Sequence, residues 1–172
     1  MPEVWDVYDI SRRKADRTVF RGDTLGAGEY HLVVNIWIMN GKNEVLLQKR
    51  SMEKETGPGL WCCTGGAAIA GEDSAQAFAR EMTEELGVPP DMEHAQIAFS
   101  HTRRNYHKDI WFVRQDIPPD AFRLQKEEVE AVRWVTMDEL EWEANNAATW
   151  WQLSYFDELL AFLKTKEQAG GH

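Results

Sequence analysis

Residues 65–88 read GGAAIAGEDSAQAFAREMTEELGV, and this stretch decides the fold of the chain. It opens with paired glycines, which allow close approach of the backbone and dihedral angles that other residues avoid. Asp73 and Gln76 have the spacing of a capping box, so they predict that a helix begins there. Gly87 predicts a left-handed end to this helix just after Leu86.

The predicted helix has two different faces at about 100° per residue. One face is apolar and is expected to lie in the core; it comprises Ala75, Phe78, Ala79, Met82 and Leu86. The adjoining face carries Arg80, Glu81, Glu84 and Glu85. Like charges at this spacing destabilise an isolated helix by about 0.2–0.5 kcal/mol per pair, and Arg80 alone does not neutralise the glutamates. Because Mg²⁺ and Mn²⁺ prefer carboxylate oxygen, the face indicates a metal site. The alternative is an ordinary solvated acidic face.

The spacing of these residues resembles the Nudix box at every fixed position. In chain order, the matching positions are Gly66, Glu72, Arg80, Glu81, Met82, Glu84, Glu85, Gly87 and Val88. Met82 and Val88 stand where the family has apolar residues. The resemblance implies an α/β fold, the Nudix α/β/α sandwich, in which a mixed β-sheet lies between helices.

The rest of the chain is compatible with this fold. Apolar runs and alternating patterns predict strands over 4–10, 18–21, 30–39, 44–50, 61–63, 95–100, 110–115 and 129–135. Asn40 and Gly41 predict a tight hairpin turn. Thr136 and Glu139 predict a capping box for a short second helix, and Ser154 is expected to cap a last helix.

Length and charge bound the domain organisation and the partners. The chain has 172 residues and a formal net charge of −10. We expect a single Nudix domain over residues 1–172, with an N-terminal β-hairpin extension over 1–29 and a flexible tail over 164–172. The negative charge disfavours extended nucleic acid, since such binding relies on clustered lysine and arginine. An RNA-decapping role is disfavoured for the same reason.

The sequence also bears on the compartment. It contains no hydrophobic run that approaches the ~20 residues of a membrane span. The N-terminus, MPEVWDVYDI, lacks the basic and apolar regions of a signal peptide. We therefore expect a cytoplasmic protein with no membrane partner. Cys62 and Cys63 are adjacent, offer no disulfide framework and are expected to be small core residues. The sequence leaves a homodimer open.

The resemblance implies a role for each box residue. The metal ligands that it implies are Glu81, Glu84, Glu85 and the carbonyl of Gly65, with Mg²⁺ or Mn²⁺ as the ion. Arg80 would hold the carboxylates in register through charge-assisted bonds. Glu72 would anchor the loop to the helix, and Gly66 and Gly87 would be structural. The implied reaction is hydrolysis of a diphosphate linkage in a small molecule, with the metal neutralising charge and activating water.

The general base is left open by the sequence. Glu85 is the candidate inside the box, and Glu127 and Glu128, just before a strand, are the candidates downstream. Both downstream residues have the alternative interpretation of ordinary solvated charges. The catalytic residues implied are therefore Arg80, Glu84, Glu85, Glu127 and Glu128.

Candidate substrate contacts lie in two other places. Arg50 ends a predicted strand, where it reaches a phosphate or is a surface arginine. Residues 101–109, HTRRNYHKD, are expected to form a basic loop. Its residues Arg103, Arg104 and Tyr106 are candidates for clamping phosphate or stacking on a base, and the alternative is an exposed hairpin with ordinary charges.

Two rival functions belong to the same fold. The layout around His31 and Trp37 also resembles isopentenyl-diphosphate isomerase, which needs a cysteine and a histidine in the loop before its helix. The cysteine position, counted back from Glu72, is Gly65 here, and Cys62 and Cys63 come too early. His31 is then a packed or structural histidine. The second rival is a non-catalytic Nudix-fold sensor, which is disfavoured because every box carboxylate is present.

Overall fold

The computed structural model describes residues 1–146, 148–151 and 153–170. The strands are β1 (Val4–Tyr8), β2 (Lys14–Phe20), β3 (His31–Met39), β4 (Val45–Arg50), β5 (Trp61–Cys62), β6 (Thr64–Ala67), β7 (Ala95–Arg103), β8 (Tyr106–Arg114) and β9 (Val129–Val135). The helices are α1 (Ser74–Leu86), α2 (Met137–Ala144) and α3 (Phe156–Ala169), and short 3₁₀ turns lie at Met92–His94 and Pro119–Ala121.

Strands β3–β9 form a mixed sheet. The order β5-β4-β3-β8-β7 makes its main path, with β6 paired to β3 and β9 paired to β4. The β3–β8 pair is parallel, and the other pairs are antiparallel. Strands β1 and β2 form a separate two-stranded antiparallel hairpin. The predicted N-terminal hairpin is therefore present.

Strands β3 and β4 separate soon after their connecting turn. They pair at Met39 and Val45. Further along β3, β6 takes the neighbouring position and pairs over Val33–Ala67 to Ile36–Thr64. Strand β4 turns instead towards β5 and β9. This separation opens the sheet where the glycine-rich start of residues 65–88 enters it, and so it positions the site described below.

Helices cover both faces of the sheet. On one face α1 packs through Phe78, Met82 and Leu86 against alternate residues of β3, namely Leu32, Val34, Ile36 and Ile38. On the other face, α2 and α3 contribute Leu140, Leu159 and Leu163 to a core with Trp37, Met39, Ile110 and Phe112. Burial of each such side chain stabilises the fold by about 1.5–3 kcal/mol. The predicted α/β/α sandwich with a mixed sheet is confirmed.

The ends of α1 are as predicted. Asp73 accepts a hydrogen bond from the backbone N–H of Gln76, and the Gln76 side chain accepts one from the N–H of Asp73. Gly87 ends the helix at φ 73°, in the left-handed region. Among the described residues, no helix is long and apolar enough to cross a membrane.

The predicted basic loop over residues 101–109 is wrong. Strand β7 continues to Arg103 and β8 begins at Tyr106, so the two strands are joined by a short turn. The reason is that the polar residues are satisfied inside the sheet. His107 is buried between Thr102 Oγ1 and the carbonyl of Asp9, at 2.8 Å from each.

The C-terminal prediction also needs correction. Tyr155, and not Ser154, occupies the N-cap of α3, without a side-chain capping bond. Residues 164–169 of the predicted tail belong to α3, since Leu163 is fully buried and Arg114 Nη2 donates to the carbonyl of Lys166 at 2.7 Å. The last part of the predicted tail, residues 171–172, lies outside the described residues.

Both hairpin turns differ in detail from the prediction. The turn between β3 and β4 spans residues 40–44, with Asn40 N–H donating to the carbonyl of Glu44 at 2.9 Å and Asn43 at φ 61°. It is therefore longer than the tight turn predicted at Asn40 and Gly41. In the N-terminal hairpin, β1 ends at Tyr8 and β2 begins already at Lys14.

Candidate active site

Glu81 and Glu85 lie one turn apart on α1, and both are buried although they carry carboxylates. Their exposed fractions are 8% and 6%. Burial raises the pKa of Glu81 to about 7, against the opposing effect of Arg80. Burial and the charge of Glu81 raise the pKa of Glu85 to about 8. The pair is thus held in a setting that disfavours its charged form and favours a cationic partner.

Contacts with α1 and β3 leave no space for a side chain at Gly65 and Gly66. A Cβ atom on Gly66 would lie 2.3 Å from Glu81 Oε1, closer than real Cβ atoms approach. Gly65 adopts φ +153°, and a Cβ there would lie 2.2 Å from the carbonyl oxygen of Val34. The backbone of residues 65–66 therefore lies directly against both the carboxylate of Glu81 and the central strand.

Arg80 joins the loop to the helix. Its Nε lies 2.7 Å from Glu72 Oε1, and its Nη2 donates to the carbonyl of Ala67 at 2.9 Å. Its Nη1 lies 3.0 Å from Glu81 Oε1 and also 3.0 Å from Glu84 Oε2. Arg80 thus links Glu72 and Ala67 of the loop to Glu81 and Glu84 of α1.

Glu84 differs from its two neighbours. Its side chain is 51% exposed and pairs with Arg80. Within the described ranges, no group of three or more His, Cys, Asp or Glu side chains stands ready to hold a metal ion. The donor chemistry nevertheless fits Mg²⁺ or Mn²⁺, because the two buried carboxylates are oxygen donors that lack full compensation of their charge.

A chain of hydrogen bonds that the sequence analysis missed orients Glu85. Gln48 Nε2 donates to Glu85 Oε2 at 2.8 Å, and the N–H of Gly65 donates to the same oxygen at 3.4 Å. Thr64 Oγ1 donates to Gln48 Oε1 at 2.8 Å, which fixes the direction of the Gln48 amide. Gln48 directly follows the apolar residues Val45, Leu46 and Leu47 and begins the polar end of β4, so the sequence carries no clear signal for its role.

The carboxylates open onto a polar cavity of about 310 Å³. Its described lining residues are Glu3, Trp5, Arg21, His31, Val33, Arg50, Lys54, Gly65, Gly66, Ala67, Arg80, Glu81, Glu84, Glu85, Gln125 and Glu128. The N-terminal hairpin and the turn after it thus contribute Trp5 and Arg21, which the sequence analysis missed. Trp5 stacks on His31 with ring centroids 4.2 Å apart, so His31 packs inside the wall as expected.

The downstream glutamates are placed differently from each other. Glu128 lines the cavity and forms an ion pair with Lys54, a cation that the sequence analysis did not single out. The charge of Glu128 contributes to the raised pKa of Glu85. Glu127 is exposed and is not among the described residues that line the cavity.

The candidate substrate-contacting residues also lie in different places. Arg50 lines the cavity, with Nε 3.1 Å from the carbonyl of Thr56 and its guanidinium carbon 4.5 Å from the ring centre of Trp151. Arg103 and Arg104 are exposed on the β7–β8 hairpin, and Tyr106 packs edge-on against His31. These last three residues are not among the described residues that line the cavity.

A second, smaller cavity of about 170 Å³ adjoins the first. The two share Val33, Arg50, Gly65 and Gly66. The remaining described lining residues of the second cavity are Asn35, Cys62, Cys63, Lys108, Trp151 and Leu153. Burial raises the pKa of both thiols, that of Cys63 to about 11, so neither is a thiolate at neutral pH. Both cysteines are buried, as expected for small core residues.

The chain is similar in sequence to known proteins. Residues 29–158 match the model of the NUDIX domain family. An uncharacterized Nudix hydrolase of Listeria monocytogenes is 40% identical over 140 residues, which cover 81% of this chain and 83% of that protein. An isopentenyl-diphosphate isomerase of Aromatoleum aromaticum is 26% identical over 147 residues, covering 78% of this chain and 80% of that enzyme.

The chain is also similar in structure to known proteins. A crystal structure of a Deinococcus radiodurans protein superposes with a TM-score of 0.73 at 22% identity, covering 92% of this chain and 98% of that one. The family match lies over the residues that build both cavities, except for those of the N-terminal hairpin and the turn after it. The chain belongs to the Nudix hydrolase family.

Proposed function

We propose that this chain is a metal-dependent hydrolase that cleaves the diphosphate linkage of a small phosphorylated molecule. The observation that carries the proposal is the burial of Glu81 and Glu85 beside the backbone of Gly65 and Gly66, at the wall of a polar cavity. Buried carboxylates without full compensation are costly unless they coordinate a cation.

The residues that would hold Mg²⁺ or Mn²⁺ are Glu81, Glu84, Glu85 and the carbonyl of Gly65. When bound, the ion neutralises phosphate charge and lowers the pKa of a bound water. Gln48 and the N–H of Gly65 orient Glu85 by hydrogen bonds to its Oε2. Arg80 keeps Glu81 in register with Glu72.

Positive side chains in the cavity suit the phosphates. Arg21, Arg50 and Lys54 all line it, and cations there stabilise the charge that develops on the phosphoryl oxygens. A water oxygen forms the new bond to phosphorus, the anhydride P–O bond breaks, and the bridging oxygen leaves with the second phosphoryl group. The proton of that water goes to a carboxylate oxygen of Glu85 or Glu128, both of which line the cavity.

The experiment that tests the proposal is a screen of nucleoside triphosphates, dinucleotides, sugar nucleotides and coenzyme derivatives. Release of phosphate or monophosphate is followed with Mg²⁺, with Mn²⁺ and with excess chelator. We expect turnover of at least one diphosphate-containing compound with metal and its loss in chelator. Full turnover in excess chelator contradicts the proposal.

Isomerase chemistry is the rival that the Aromatoleum relative raises. The position expected for its cysteine is Gly65, whose φ of +153° and contact with Val34 leave no space for a side chain. The cysteines that line the second cavity have raised pKa values. These observations favour hydrolysis.

A further inference from the structure

Lys108 lies in the second cavity as a cation without an acidic partner. Its Nζ lies 5.0 Å from the ring centre of Tyr106 and 5.8 Å from that of Tyr155. The backbone of Lys108 pairs within the sheet, but among the described residues its Nζ takes part in no hydrogen bond or ion pair. Burial lowers the pKa of Lys108, and the nearby charge of Arg103 adds to this effect, which Cys63 opposes.

This isolation is unusual in so acidic a chain. The sequence holds 29 Asp and Glu against 19 Lys and Arg. Arg80 and Lys54, by contrast, are each paired with a glutamate, Glu72 and Glu128, whereas Arg50 is hydrogen-bonded to the carbonyl of Thr56. Lys108 is half-buried, and an ammonium group that loses part of its hydration is stabilised by compensation from an anion or from hydrogen bonds. The aromatic rings supply part of this compensation, and the remainder is available to a ligand.

The position of Lys108 connects it to the diphosphate site. The two cavities share Arg50 and the backbone of Gly65 and Gly66. A molecule whose diphosphate lies against Glu81 therefore meets the second cavity with the group attached to that diphosphate. The volume of about 170 Å³ admits a small group, since this space corresponds to about six water molecules.

We propose that the second cavity holds the group attached to the diphosphate, and that Lys108 recognises an anionic oxygen of that group, either a carboxylate or a phosphate. The inference rests on the proposed function and names the class of its substrate. A purely hydrocarbon group is disfavoured, because it would bury Lys108 without compensating its charge. Arg50, at the junction of the cavities, adds positive charge to the same path.

The test uses non-hydrolysable methylenediphosphonate monoesters with a short attached chain. In the three compounds this attached chain ends in a carboxylate, in a phosphate or in a primary amide of similar size. Affinities are measured by calorimetry in Mg²⁺. Since a hydrogen bond between two charged groups is stronger than one to a neutral amide, we expect one of the anionic compounds to bind about tenfold or more tightly than the amide. The tighter of the two identifies the anion.

Variants test whether the preference for the anionic compounds over the amide comes from Lys108. Lys108→Met keeps the stem of the side chain and is expected to bind all three compounds within about twofold, as is Lys108→Gln. Lys166→Met is the matched control, because Lys166 also lies over aromatic rings, at 5.6 Å from Phe112 and 5.2 Å from Phe162, away from both cavities. It should retain the wild-type preference.

The outcomes separate this inference from the proposed function. Equal binding of all three compounds to the wild type leaves the diphosphate site standing and overturns the inference alone. A Lys108 variant that folds and keeps the preference overturns it as well. Failure of every compound to bind in Mg²⁺ contradicts the proposed diphosphate site and this inference together.

Discussion

Gln48 Nε2 donates a 2.8 Å hydrogen bond to Glu85 Oε2, and this bond joins β4 to α1. Both side chains are buried, and Thr64 Oγ1 holds the other end of the Gln48 amide. Glu85 is a ligand in the proposed metal site, and replacement of a residue that orients such a ligand typically changes metal affinity or activity by about 10–100-fold.

Gln48→Leu should therefore lower turnover by about 10–100-fold and weaken Mg²⁺ binding, while the protein still folds. Steady-state rates over a range of Mg²⁺ concentrations measure both effects. Thr64→Val leaves the direct bond to Glu85 in place and frees only the far end of the amide, so its effect should be smaller. Equal rates for Gln48→Leu and wild type would show that Glu85 needs no such orientation.

Gly66→Ala should displace the carboxylate of Glu81. The added Cβ would lie 2.3 Å from Glu81 Oε1, so the Glu81 carboxylate or the backbone at residue 66 must move. We expect Mg²⁺ affinity, followed by calorimetry, to fall by about tenfold or more. Gly26→Ala is the control, because the Cβ there meets the flexible end of the Glu29 side chain at 3.1 Å. Wild-type Mg²⁺ affinity in Gly66→Ala would remove Glu81 from the metal site.

The stability of the fold should depend on pH through His31. Burial lowers the pKa of His31 from 6.5 to about 4. Between these values the unfolded chain binds more protons at this residue than the folded one, so stability falls as the pH drops from 6.5 towards 4. His31→Phe keeps a ring to stack on Trp5 and cannot be protonated.

Denaturant unfolding at pH 7, 6, 5 and 4 should thus show a shallower loss of stability in His31→Phe than in wild type. His94→Gln is the control for removal of a histidine, because His94 is exposed. Identical pH profiles for His31→Phe and wild type would mean that His31 is accessible to protons in the folded state.

Replacement of Cys62 and Cys63 by alanine tests the thiols. Both are buried, with raised pKa values. The double variant should melt at a lower temperature because buried volume is lost. Since both residues line the second cavity, KM is expected to change, but kcat of the folded protein should stay near the wild-type value. A folded double variant without activity would reopen a thiol mechanism and the isomerase interpretation.

The sequence predicts the site most accurately where local spacing decides. The capping box of Asp73 with Gln76 and the left-handed Gly87 follow from neighbouring residues, and both were found. Both of these features are set within a single segment of chain. The burial of Glu81 and Glu85 was not predicted, because it depends on the packing of α1 against β4 and β6, where Gln48 and Gly66 meet the two carboxylates.

Contacts between distant segments could not be predicted in this way. Gln48 reaches Glu85 across 37 positions, and Trp5 reaches His31 because the N-terminal hairpin folds onto β3. The basic segment over 101–109 was expected to be a loop, because charge and polarity usually indicate exposure. It is a strand pair instead, since Arg12 and Ser100 compensate the buried Asp109. No local pattern carries that information.

The most direct test of the central claim, that Glu81 and Glu85 hold the catalytic metal, is Glu85→Gln. This substitution keeps the size and the hydrogen-bonding capacity of the side chain and removes a charge from a crowded, buried site. Thermal melts in chelator and in Mg²⁺ are paired with hydrolysis rates. Glu84→Gln, at the half-exposed neighbour, is measured beside it.

In chelator at a pH above 8, where both carboxyls are ionised, Glu85→Gln should melt at the wild-type temperature or above, because repulsion with Glu81 is relieved. Its rise in melting temperature with Mg²⁺ should be lost, and its turnover should fall by roughly a hundredfold or more. A Glu85→Gln protein that keeps a near-normal rate and the same Mg²⁺-induced rise in melting temperature would contradict the account.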